Sequence, residues 1–180
     1  MPITINIPGN EVWDPVNEEF LTIKPVKLVL EHSLLSISKW ESRWKKSYLS
    51  TLDKTPEEVL DYIRCMTLTQ GVDDRCYFSI PEKELLRVKE YIEDPMTATT
   101  FRDEHKTPSR KKVTNEEIYF QMIQLGIPFS CEKWHLNRLL TLIRVGSIMS
   151  SPPKKMSKSA TARSNTALNA ARKRQLGSMG

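Results

Sequence analysis

Cys131 and His135 are the two side chains whose types and spacing come closest to a chemical site. They are four residues apart in a segment, 130–149, that we predict to be helical, so they would share one face. Together they make only half of a metal site. The other candidate ligands are scattered along the chain: Cys65, Cys76, His32 and His105. We interpret the pair as a buried cysteine near a hydrogen-bonded histidine, and we predict no metal and no cofactor.

Other catalytic patterns are no better supported. A nucleophilic Cys131 would need a paired base and an oxyanion site, which the sequence does not supply. The acidic pairs at 57–58 and 116–117 fall in the first turns of predicted helices, where the helix dipole favours anions. The sequence has no glycine-rich phosphate loop, no His-Glu-x-x-His pair and no Cys-x-x-Cys. We therefore expect a protein that is not an enzyme.

The segment that would carry Cys131 and His135 is itself unusually apolar. Ser130 could cap it, and Glu132 would lie where the dipole favours an anion. One apolar stripe is formed by Leu136, Leu139, Leu140 and Ile143. A second side is covered by Trp134, Leu142, Val145 and Met149. Such a helix must be covered on most sides, by its own chain or by a partner.

The rest of the chain is predicted to form strands followed by further helices. Alternation at 3–7 and at 20–30, broken by Pro25, predicts an antiparallel strand pair. Four more helix starts are indicated. Two begin at Ser33 (to about Leu49) and at Pro81. The other two begin at Thr55, followed by Pro56 and Glu58, and at Thr114 with Glu117, and both have the spacing of a capping box. The stretch 96–112 is polar and is predicted to be an exposed loop. Pro152 and Pro153 should end the fold.

These elements define the predicted fold class. We expect a mainly α protein with a five-helix core, an N-terminal antiparallel β-hairpin and a basic C-terminal tail or helix. The predicted boundaries are 1–31 for the hairpin, 32–150 for the helical core and 151–180 for the extension. Alanine content favours helix at 165–176.

The net charge of +5 comes from that extension. It holds seven basic residues and no acidic one: Lys154, Lys155, Lys158, Arg163, Arg172, Lys173 and Arg174. Removing these seven from the 27 basic residues leaves 20 against 22 acidic ones, so the body is slightly acidic. A basic extension favours nonspecific contacts with an acidic partner.

Sequence-specific nucleic-acid binding is an alternative. The predicted helix, turn and helix at 114–149 match the outline of a helix-turn-helix, and four polar residues could face a groove. These are Lys133, Asn137, Arg138 and Arg144. The apolar residues of the same segment leave little polar surface, so this alternative is not favoured.

The expected location is a reducing cytoplasm. Three cysteines without close pairing argue against a disulfide framework. The first ten residues, MPITINIPGN, show neither a basic leader nor a long apolar run, and no stretch approaches membrane-spanning length. We predict no contact with membranes.

Several stretches together resemble a known protein type. They are LEHSLLSISKWESRWKKSYL at 30–49, LDYIRCMTLTQ at 60–70, EYIEDPMTAT at 90–99, IPFSCEKWHLNRLLTLIRV at 127–145, PPKKMS at 152–157 and the basic ARKRQLG at 171–177. The chain is similar, nearly end to end, to tail assembly chaperones of long-tailed phages and prophages. The resemblance implies a mainly helical, non-enzymatic assembly factor in the host cytoplasm. Such a factor binds the tape-measure protein, keeps it soluble and helps to recruit tail-tube subunits.

A chaperone for a long amphipathic helix needs apolar and adaptable grooves. We predict as protein-binding anchors Trp40, Trp44, Tyr48, Met122 and Trp134. The first three are four residues apart and would form an aromatic face on the helix predicted to begin at Ser33. Self-association into arcs or rings would strengthen weak, repeated contacts along such a client. The alternative is a structural virion or head–tail connection protein, which would also be helical with an edge hairpin and a basic arm.

Overall fold

Helices predominate in the protein, and its strands form antiparallel pairs. The computed structural model describes residues 1–14, 18–101, 112–151 and 158–177. Two units are distinguished, Met1–Ser147 and Ile148–Gly180. The predicted mainly helical class with an antiparallel strand pair at the N-terminus is confirmed.

The four strands form two antiparallel pairs, and the pair of β1 and β4 has one buried face. β1 (Ile3–Ile7) pairs with β4 (Val26–Leu30), and β2 (Asn10–Asp14) pairs with β3 (Glu19–Ile23). Alternate side chains of β1 and β4 are buried, as their spacing predicts: Ile5, Ile7, Leu28 and Leu30. No sequence pattern predicts β2, because its five residues NEVWD lack a clear alternation.

The two strand pairs are separated by a short break in the pairing on both sides of the hairpin. Gly9 lies between β1 and β2, and Pro25 lies between β3 and β4. A Cβ atom at Gly9 would lie 3.0 Å from Cδ of Pro25 and 3.2 Å from the Ile23 carbonyl, a close approach that glycine allows without a shift of either neighbour. Pro25 therefore lies between two strands, where its missing N–H removes no hydrogen bond from either strand pair.

The first two helices begin where the sequence predicts. α1 (Leu34–Trp44) is capped by Ser33, whose hydroxyl accepts from the Ser36 amide. It ends about a turn earlier than predicted because Lys45 adopts a left-handed conformation with a φ of 55°. α2 (Pro56–Met66) carries the full predicted capping box between Thr55 and Glu58, at 3.2 and 2.8 Å.

The next two helices are joined to the body in different ways. A 3₁₀ helix (Asp74–Ser79) leads to α3 (Glu82–Glu93), which begins after Pro81 as predicted. α4 (Asn115–Gln124) follows Thr114, but the predicted capping box is wrong, since the Thr114 side chain makes no capping hydrogen bond. A carboxylate from α1 takes its place: Glu41 Oε2 accepts from the Asn115 amide at 3.0 Å.

The apolar segment 130–149 starts later as an α-helix than predicted. Phe129–Lys133 is a 3₁₀ helix and α5 is Leu136–Ser150, so Ser130 is not its cap. The stripe that includes Leu139 is buried, whereas Met149 is 81% exposed. The chain itself therefore covers one side of the helix, and the expectation of cover on most sides would need a partner.

The reason for the late start is a buried stretch of backbone at 31–33. The Glu31 amide donates to the Met66 carbonyl at 3.0 Å, and the Leu136 amide donates to the His32 carbonyl at 2.7 Å. Ser33 and His135 form an antiparallel bridge beside them. This exchange fixes the chain before α5 in an extended form.

The second unit contains α6 (Lys158–Leu176), which includes the predicted helix at 165–176. Lys154 and Lys155 lie outside the described residues, as do Pro152, Pro153 and His105. None of the described helices combines the length and hydropathy that a membrane span requires.

Core packing of α5 can be tested with two leucines of the same helix. Leu139 is fully buried, so Leu139→Ala should lower the free energy of unfolding by about 2–5 kcal/mol. Leu142 is 36% exposed, and Leu142→Ala should cost well under half as much. Urea denaturation followed by circular dichroism measures both. Equal losses for the two variants would contradict the burial pattern.

Candidate protein-binding groove

The five predicted anchors do not form one surface. Trp40 and Met122 are each 0% exposed, and the Trp40 indole donates to the Glu58 carbonyl at 2.9 Å. The prediction that these two hold a partner is therefore wrong for the folded chain, because both belong to its core. Trp44, Tyr48 and Trp134 are half-buried and pack against that core.

Two of the remaining three are tied to neighbouring charges. The Trp44 indole donates to Oδ2 of Asp61 at 2.8 Å. The Arg138 guanidinium lies 4.3 Å from the ring centroid of Trp134, a cation–π contact. Tyr48 is the one predicted anchor that lines the apolar cavity between α2 and α3.

That cavity is a groove, which we call the α2–α3 groove, with a volume of about 400 Å³. Val59 and Ile63 form the α2 wall. The α3 wall is made by Leu85, Leu86, Val88 and Ile92. Val59 is 42% exposed and Leu86 is 56% exposed. The groove lies open to solvent with an apolar lining.

The floor of the groove is a stack of tyrosines. The rings of Tyr48 and Tyr62 are 3.9 Å apart between centroids at an interplanar angle of 27°, and Trp40 meets Tyr48 edge-on at 5.2 Å. The Tyr62 hydroxyl shares a hydrogen bond with Nδ1 of His32. Burial raises the pKa of Tyr48 and of Tyr62. Both phenols are therefore neutral at physiological pH, and the floor is fixed and uncharged.

Four charged residues also line the groove, and one of them, Lys54, lies over its floor. Lys54 and Lys89 supply two cations, and Glu82 and Glu93 supply two anions. Lys54 Nζ lies 4.3 Å from the ring centroid of Tyr48. Burial lowers the pKa of Lys54, and the nearby Glu58 carboxylate acts in the opposite direction. An apolar groove that also carries charges of both signs matches one face of an amphipathic helix.

Beneath the floor is a pair of buried histidines. The rings of His32 and His135 are 5.1 Å apart, and Nε2–H of His135 donates to the Tyr91 carbonyl at 3.0 Å. Tyr91 in turn donates its hydroxyl to Glu31. Burial, and then the neighbouring His135, lower the pKa of His32 to about 3; burial also lowers the pKa of His135. Both imidazoles are therefore neutral at pH 7.

The cysteines do not join the histidines in a metal site. Within the described ranges no group of three or more potential metal ligands converges. Cys65, Cys76 and Cys131 are buried free thiols. Burial raises the pKa of Cys65 to about 11 and also raises that of Cys76, so neither is a thiolate at neutral pH.

The helix-turn-helix alternative meets a geometric obstacle. The Asn137 side-chain amide donates to the carbonyls of Ile92 and Asp94, at 3.0 and 2.7 Å. The guanidiniums of Arg138 and Arg144 lie over the rings of Trp134 and Phe101. Three of the four polar groups expected to read bases are thus engaged within the fold.

The α2–α3 groove could be predicted only in part. Tyr48 was singled out by its spacing from Trp40 and Trp44, although it follows α1 and is not part of it. Tyr62 and Leu86 carry no local signal, because the groove joins residues of three separate segments.

Comparison of the chain with protein-family models, with curated proteins and with solved structures gives no match.

The buried histidines predict a dependence of stability on pH. Unfolded His32 binds a proton near pH 6.5, whereas folded His32 does so only near pH 3. Between these values the unfolded state holds more protons, so the free energy of unfolding should fall as the pH falls, by up to about 1.4 kcal/mol per pH unit. Chemical denaturation between pH 7 and pH 5 would measure the slope above the range in which most carboxylates titrate.

His32→Gln serves as the comparison, since its side chain does not titrate. The variant is expected to be less stable overall but to show a clearly shallower dependence on pH. A slope equal to that of the parent protein would contradict the assignment of the effect to His32.

Proposed function

We propose that the protein is a phage tail assembly chaperone, a non-enzymatic factor that holds helical segments of the tape-measure protein in the α2–α3 groove. The observation that carries this proposal is an open apolar groove beside a closely packed core. In this proposal α1–α5 form the five-helix body and 151–180 its basic extension. The resemblance of 30–49 and 127–145 to such chaperones gives the client.

The dimensions of the groove suit a client helix. Leu85 and Ile92 are seven residues apart on α3, about 10 Å along the helix axis. Anchors at positions i and i+7 of a client helix have the same separation. An acidic client residue would face Lys54 or Lys89, and a basic one would face Glu82 or Glu93.

One short groove gives a modest affinity, which suits a factor that must later release its client. Many copies along a long tape-measure helix would raise the total affinity without any new contact. We therefore include self-association of the chaperone and recruitment of tail-tube subunits in the proposal.

Co-expression tests the function directly. The tape-measure protein should move from the insoluble to the soluble fraction when this chain is produced with it, and the chain should be missing from purified phage particles. A structural virion or head–tail connection protein would instead remain in the particle at a fixed copy number. That result, with an insoluble client, would overturn the proposal.

A charge placed in the groove should abolish client binding without unfolding the protein. Leu86→Glu puts a carboxylate on the α3 wall at a position that is already 56% exposed, so the free energy of unfolding should change by less than about 1 kcal/mol. The amount of soluble tape-measure protein in co-expression should fall at least several-fold. Quantitative gel analysis of the soluble fraction measures this.

Leu52→Glu is the matched control, because Leu52 is 90% exposed and does not line the groove. It should leave the soluble yield of the client unchanged. Equal yields for both variants would show that the client binds elsewhere on the protein.

A further inference from the structure

The α6 helix carries a strong positive charge that the proposed groove does not use. Residues 158–177 contain no acidic side chain. Their basic residues are Lys158, Arg163, Arg172, Lys173 and Arg174. The last four are exposed. A helix of this composition attracts an anionic partner, and the positions of its charges indicate which kind.

The helix itself is suitably built to present these charges. Its alanines favour helix, and Lys173 and Arg174 lie in the last turn, where cations oppose the helix dipole. Gly177, with a φ of +59°, ends it in a left-handed conformation. The basic cluster therefore sits on regular helix with a defined end.

The charges point in several directions. Successive helical residues are rotated by about 100°, so Arg172, Lys173 and Arg174 together span about 200° of the circumference. Arg163 falls within about 20° of Arg174. Cations therefore line two sides of α6. A flat anionic surface, such as a membrane, would contact only one of them.

Apolar contacts cannot supply the binding. Leu168 and Leu176 are the large apolar residues of α6, and they are 52% and 79% exposed. Their directions differ by about 80°, so they form no continuous stripe. Membrane-surface helices need a broad apolar face, and groove-bound helices need anchors three, four and seven residues apart. α6 has neither.

We propose that α6 binds double-stranded nucleic acid through the phosphate backbone, without reading its sequence. The major groove is about 12 Å wide and admits an α-helix between two rows of phosphates. Cations on two sides of α6 could then reach both rows at once. This activity is separate from client binding in the α2–α3 groove, since it uses different residues.

Fluorescence anisotropy with a short fluorescein-labelled DNA duplex tests the proposal on the full-length chain. The logarithm of the binding constant should fall steeply with the logarithm of salt concentration. The variant with Arg172→Gln, Lys173→Gln and Arg174→Gln should bind at least tenfold more weakly at low salt. Its slope should be shallower by up to about 0.9 for each phosphate that the variant no longer neutralises.

Two further variants make the result specific. Lys24→Gln with Lys27→Gln and Lys83→Gln removes the same three charges from exposed positions of the body, and it should bind duplex like the parent. Arg172→Lys with Arg174→Lys keeps the charges and should also retain binding. Circular dichroism should show an unchanged melting temperature for all three variants.

Other outcomes overturn the proposal. They are no duplex binding by the parent at low salt, or equal losses for the α6 and body variants. Binding to vesicles of anionic phospholipid at least as tight as to duplex would identify a membrane partner. Binding to polyglutamate as tight as to duplex would identify an acidic protein partner.

Discussion

A short stretch of buried backbone, 31–33, is the constraint on which the arrangement of the helices depends. Peptide groups that are removed from water must find partners within the fold. Here the Glu31 amide donates to the carbonyl of Met66, the last residue of α2. The His32 carbonyl accepts from the amide of Leu136, the first residue of α5. The end of one helix and the start of another are therefore set by the segment that leaves the strands.

The same stretch accounts for the α2–α3 groove. The Tyr62 hydroxyl shares a hydrogen bond with His32, and the ring of Tyr48 stacks on the ring of Tyr62. Neither tyrosine can turn outward to fill the space between α2 and α3 without leaving a buried polar group unpaired or the stack broken. The α2–α3 groove is therefore not a gap left by poor packing, because specific contacts keep the tyrosines of its floor in place.

Structural features that depend on contacts between residues close in sequence could be predicted. Features that depend on contacts between residues distant in sequence could not. The capping box of α2 was correct because Thr55 and Glu58 satisfy each other three residues apart. The equivalent prediction at Thr114 was wrong because Glu41, 74 residues from Asn115, supplies the carboxylate. The aromatic spacing found Tyr48, but it could not tell that Trp40 faces the core or that α3 provides the opposite wall of the groove.

The three buried cysteines give this protein a set of internal reporters. Cys65 lies in α2, Cys76 in the first 3₁₀ helix and Cys131 in the second. A shielded thiol reacts with an alkylating reagent mainly when its own region opens to solvent. The labelling rates at these positions would therefore distinguish whole-body unfolding, which exposes all three together, from the separate loosening of one element while the others remain closed.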